Sequence, residues 1–186
     1  MNLVLTSHQE AKAKSSTVLR TFRIPRNLIA TLEAEGKNRG LSANALMTSL
    51  ISRFDNWDRF ADRFDFFSIT DDLIKAFLEE VPEDRVVAIA ETFGARIARD
   101  GIMFWSKEVS VESLVEYLNN RCRYAGYGNL QYEKKDQKHT LILQHSLGLK
   151  WSIFIQHTLD QVLKKPLGIT AQFETTESSI VARFTT

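Results

Sequence analysis

The 186-residue sequence predicts an α+β fold in two parts, and three observations carry that prediction. A short alternating run at residues 17–24 is stopped by Pro25 and followed by two stretches of helical periodicity. From about residue 66 a series of capped, amphipathic helices begins. The last third then reads strand, strand, helix, strand, strand. Composition supports a folded chain: it is 44% hydrophobic with 12 Phe and 3 Trp, too much apolar surface to leave in water. No apolar run approaches the roughly 20 residues of a spanning helix, so no membrane is expected as a partner. A single cysteine, Cys122, excludes an internal disulfide, and a reducing cytoplasm is the expected setting.

Residues 1–15, MNLVLTSHQEAKAKS, lack a sustained period and read as a flexible, basic-leaning arm. Residues 17–24, TVLRTFRI, are rich in β-branched and apolar types and read as a strand. Arg20, Phe22 and Ile24 fall on one side of it, and Leu19, Thr21 and Arg23 on the other. Pro25 suits the start of a helix, where its missing N–H is harmless. Leu28, Ile29 and Leu32 form that helix's apolar stripe, Gly36 weakens it, and Gly40 is placed to end it. Ser42 is a good N-cap for a second helix carrying Leu46, Met47, Leu50, Ile51 and Phe54. That stripe continues through Trp57, Ala61 and Phe64, which predicts a long helix leading into the second domain.

Thr70 is placed to cap a third helix, with Asp71 and Asp72 in its first turn and Leu73, Ile74, Phe77, Leu78 and Val81 as its core face. Pro82 opens the next, which Gly101 is expected to end, leaving residues 102–105 as a short buried segment. Ser110 caps a helix running to Cys122. Strands at 129–134 and 139–144, a helix at 149–164 and strands at 169–174 and 179–184 complete the chain. The domains are therefore 1–15, 16–64 and 66–186.

Charge is unevenly spread. Residues 1–54 hold eight basic and three acidic side chains, a net of +5, whereas the rest of the chain holds 16 and 20, a net of −4. A basic first third on a mildly acidic chain points to nucleic acid as its partner. The first module also cannot stand alone. One short strand leaves its backbone unpaired, and two helices with narrow stripes do not close a core. A second copy resolves both problems by pairing the strands about a twofold axis.

The stretch TVLRTFRIPRNLIATLEAEGKNRGLSANALMTSLISRF, residues 17–54, resembles the ribbon-helix-helix family, which includes the Arc and methionine repressors. The resemblance rests on the strand ending in Ile24-Pro25, the step from Pro25 to Gly40, and Gly-Leu-Ser-Ala-Asn before an apolar helix. It implies a dimeric module whose two-stranded ribbon enters the major groove. By position the base-reading residues are Leu19, Thr21 and Arg23. Arg23 matches guanine as a bidentate fork, and Thr21 can donate or accept. Leu19 departs from the usual polar type: it either meets a thymine methyl or lies outside the readout set. Arg20 departs too, sitting on the parity that faces the core, from which it can snorkel to a phosphate. The family's phosphate-holding helix start corresponds to Ser42, Ala43 and Asn44.

The second domain resembles no family, and its candidate chemistry is sparse. His139 and His145 share strand parity but stand about 20 Å apart at ~3.3 Å per residue, so they cannot share one ion. His145, His157 and Cys122 are left as an open grouping, although no metal or cofactor is expected. Trp105, Trp151, Phe154 and His157 are candidates for a small-molecule pocket, with plain packing as the simpler reading. In HSLGLKW, residues 145–151, Ser146 and Lys150 suggest an anion cradle, and capping by Ser146 explains the pattern more simply. No nucleophile, phosphate-loop, dinucleotide or metal-hydrolase spacing occurs, so an enzyme is not expected. The expected function is that of a homodimeric, sequence-specific DNA-binding transcriptional regulator. Its C-terminal domain would add dimer or tetramer contacts and respond to a small-molecule effector. The alternatives are an antitoxin-type autoregulator whose C-terminal part binds a protein, and a ligand-binding protein that uses the first module only to dimerise.

Overall fold

A computed structural model describes residues 17–64, 66 and 68–186. The arm expected at residues 1–15 lies outside the described residues. The chain is mixed helix and sheet and divides into two compact units between Ser49 and Leu50, within the second helix.

In the first unit, residues 17–24 carry no regular secondary structure, so the strand expected there is not formed. Helix α1 (Arg26–Asn38) starts after Pro25, whose carbonyl accepts from the amides of Leu28 and Ile29 at 3.1 and 3.2 Å. Gly40 turns the chain with φ +66°, a conformation that costs an L side chain about 1–2 kcal/mol. Gly36 has a packing role that its helix-weakening tendency conceals. A Cβ there would lie 2.9 Å from the Leu41 carbonyl oxygen, so glycine lets the chain fold back tightly on α1. Helix α2 (Ala43–Arg53) begins at Ser42, whose hydroxyl accepts from the Ala45 amide at 3.1 Å. The helical path continues as expected, through a π-helical turn (Phe54–Asp58), α3 (Arg59–Ala61) and a 3₁₀ turn (Asp62–Phe64).

The second unit begins at Leu50, so it takes in the end of α2 and the helical path to Phe64. It continues with helices α4 (Asp71–Glu80), α5 (Glu83–Ile89), α6 (Ala95–Ser106), α7 (Val111–Ala125) and α8 (Leu149–Leu167) and a four-stranded antiparallel sheet. Its strands are β1 (Asn129–Lys135), β2 (Lys138–Gln144), β3 (Gln172–Thr175) and β4 (Ser179–Thr185), in the order β1-β2-β4-β3. Alternation along β2 and β4 sends His139, Leu141, Leu143, Ile180, Ala182 and Phe184 to one face, where they meet Ile102, Leu114, Ile155, Leu159 and Val162 of the helices. Burying each large apolar side chain of this kind is worth about 1.5–3 kcal/mol. The edges differ from this centre. β1 carries Glu133, Lys134 and Lys135, and β3 is only four residues long.

Beyond the missing strand at 17–24, further expectations need correction; the strand expected at 169–174 is β3, which starts only at Gln172. Gly101 does not end a helix; α6 runs through it to Ser106, and residues 102–105 are its last turns. Gly101 is buried because a Cβ there would meet Tyr117 Cε2 at 2.7 Å, so glycine marks a helix-to-helix approach. Thr70 precedes α4 without a side-chain capping bond, and Leu73 and Phe77 of its expected core face remain exposed. Helix α8 extends through Pro166, which its last turn tolerates, to Gly168 at φ +66°. Ser146 does not cap α8: Gly148 holds that position, and the Ser146 hydroxyl donates to Asp71 at 3.2 Å. By contrast, Ser110 caps α7 as expected, in a reciprocal capping box with Ser113.

Candidate nucleic-acid interface

The first unit buries very little of what it carries. Among its described residues only Gly36 and Leu46 are buried, while Ile29, Leu32 and Met47 are half-buried. Every residue from Thr17 to Ile24 is exposed, with Leu19 at 92% and Phe22 at 72%. Residues 17–24 enter no backbone hydrogen bond among the described residues. Leu28 and Leu41 are exposed as well. An apolar set this open, next to an unpaired backbone segment, is a surface that lacks its cover.

The candidate base-reading residues Leu19, Thr21 and Arg23 and the candidate phosphate contact Arg20 all lie in this exposed segment. Neither arginine forms an ion pair among the described residues, whereas Arg39 is taken up by Glu35 at 2.5 Å. Ser42, Ala43 and Asn44 come together as the first turn of α2. The Ser42 hydroxyl is spent on the Ala45 amide, and the amides of Ala43 and Asn44 take no acceptor from the described residues. Those two donors point out of a positive helix end, the arrangement that favours an anion. The Asn44 carbonyl is already bonded by the Thr48 hydroxyl at 2.8 Å.

The remaining candidates have structural employment in the second unit. His139 is buried between the Tyr132 hydroxyl at 2.7 Å and the Thr186 hydroxyl at 3.0 Å, and its ring stacks on Phe184. Burial pushes its pKa down, helped by Lys134 and opposed by Glu112. His145 Nδ1 accepts the Leu147 amide at 3.1 Å, so the proton sits on Nε2, which donates to Ser152 Oγ at 2.8 Å. Burial lowers its pKa also. That polarity is wrong for activating Ser152 as a nucleophile, because the histidine is the donor. His157 pairs with Glu91 at 3.2 Å, and burial raises the Cys122 thiol to about 11. No group of three His, Cys, Asp or Glu able to hold a metal occurs among the described residues. Lys150 donates to the Glu79 carbonyl at 2.9 Å, and with Ser146 held by Asp71 the expected anion cradle is not assembled.

The four candidate pocket residues separate. Trp151 and Phe154 stack at 5.2 Å, whereas Trp105 donates to the Asn56 carbonyl and packs on Phe60 at 5.0 Å. Sequence reasoning passed over Arg121, whose guanidinium lies over the rings of Phe66 and Tyr127 at 5.0 and 4.8 Å. Among the described residues no helix is long and apolar enough to cross a membrane. No protein-family model matches the chain, and no curated protein matches it.

Proposed function

We propose that the chain is a homodimeric DNA-binding regulator whose first unit resembles a ribbon-helix-helix module. The observation that carries this reading is the exposed, unpaired segment from Thr17 to Ile24 ahead of two helices that bury a single large apolar side chain, Leu46. A second copy supplies what the segment lacks. Two antiparallel strands satisfy each other's backbone, with Phe22 and Ile24 turned to the helices and Leu19, Thr21 and Arg23 turned outward. A two-stranded ribbon fits the major groove. Arg20 and the first turn of α2 at Ser42, Ala43 and Asn44 then serve the phosphates, and the +5 charge of residues 1–54 supplies attraction. The second unit adds contacts between copies and no catalytic step.

The test is fluorescence anisotropy of wild type and Arg23→Ala on a randomised duplex pool with selection, at two salt concentrations. Salt-sensitive binding that enriches a palindrome is the expected result, and Arg23→Ala should lose about 1–3 kcal/mol with relaxed preference at one base pair. Absence of binding at low salt overturns the reading.

A further inference from the structure

Three buried side-chain polar atoms among the described residues lack a hydrogen-bond partner: Arg121 Nε, Trp151 Nε1 and Thr158 Oγ1. All three side chains line one cavity of about 140 Å³ between α6, α7 and α8. Native interiors leave few such groups, and each carries an unmet desolvation penalty. Three in one place, each able to donate, describe a site short of an acceptor. The rest of the wall is apolar, including Ile97, Leu118 and Ile155. A cavity of about 150 Å³ with an apolar lining takes a benzene molecule.

We propose that the second unit binds a small organic monocarboxylate, its benzene-sized body in this cavity and its charge met by Arg121. The guanidinium is available for that role. It has no carboxylate within ion-pair distance among the described residues and is held by the Tyr127 phenol and by aromatic faces. An adjoining cavity of about 510 Å³ shares Arg121, Tyr127 and Trp151 and gives the entry. Arg53 and Asp58, paired at 3.1 Å, also line it, and Asp62 and Asp71 leave the entry net negative, which disfavours a multiply charged anion more than a singly charged one. The two π-helical turns of the described chain each supply wall: Gly94 to the inner cavity, Trp57 and Asp58 to the outer. Such turns recur at functional sites. The three donors are closed to solvent, so the proposed binding requires small rotations of the side chains that shield them. The site lies wholly within the second unit and stands whether or not the first unit binds DNA.

The experiment is calorimetric titration of the full chain with benzoate and with hexanoate, and with benzamide as the uncharged counterpart of benzoate. Tryptophan fluorescence gives a second readout. Saturable binding of at least one acid is expected, with benzoate about tenfold or more tighter than benzamide if it is the one bound. Arg121→Met should lose that advantage for the acid and leave benzamide unchanged. Ala98→Leu, which fills the inner cavity from its α6 wall, should abolish binding of every probe while keeping Arg121 in place. Failure of both acids to saturate wild type at millimolar concentration overturns the proposal, as does undiminished acid binding in either folded variant.

Discussion

Phe22→Ala gives the sharpest test of the two-copy reading. Phe22 is 72% exposed in the single chain and lies on the same strand parity as Ile24. Full burial of such a side chain is worth about 1.5–3 kcal/mol, so covering the exposed part contributes about 2 kcal/mol per protomer. In a twofold assembly both copies lose it, about 4 kcal/mol in all. At 1.4 kcal/mol per factor of ten, the dimer dissociation constant should rise about 10³-fold. Sedimentation equilibrium over a concentration series measures that constant. Thr21→Ala, one residue away on the opposite parity, is the control: association should hold while DNA affinity falls. All three tryptophans, Trp57, Trp105 and Trp151, belong to the second unit, so their fluorescence reports separately on whether that unit remains folded. An unchanged dimer constant in Phe22→Ala, or an equal change in Thr21→Ala, refutes the alternation on which the ribbon depends.

Two further outcomes follow from the second unit. Gly101→Ala gains up to about 1 kcal/mol of helix propensity but drives a methyl into buried Tyr117, and overpacking costs about 1–3 kcal/mol. A net loss of about 1–2 kcal/mol by urea denaturation is expected, and a variant as stable as wild type refutes the close-approach role. His139 is held neutral, its folded pKa lowered chiefly by burial, and His145 is lowered in the same way. Their contribution is whole above the unfolded value of about 6.5 and is lost as pH falls through the lowered folded values. Melting temperature should therefore drop between about pH 7.5 and pH 5, and a flat or rising profile contradicts neutral burial.

What could be read from the sequence followed how local each determinant is. The Ser110 cap, the β1–β2 hairpin and the turn at Gly40 are each decided by residues within a few positions of one another, and all three were legible. Gly101 was misread because its meaning depends on Tyr117, which sits on another helix. Ser146 has the chemistry of a cap, yet its partner Asp71 lies 75 residues away. The π-helical turns add one residue to a helical repeat without a composition signal, so they merged into the stripes on either side. The alternation at residues 17–24 is a property of the sequence alone, and the described chain forms no strand there. Arg121 was invisible for the opposite reason: its surroundings are drawn from the segment around Phe66, from α7 and from α8, and no spacing announces them.

The sheet's edges bear on how large an assembly of this chain can grow. Backbone pairing between sheets would build open-ended filaments, since each added copy exposes a fresh strand to the next. A bordering strand dense in charge on one side and a four-residue strand on the other offer poor templates for that growth. Any contact between two second units is thereby left to side chains on helices and sheet faces. The first unit can thus expose an unpaired segment without the sheet of the second unit adding strand pairing that turns association into polymerisation.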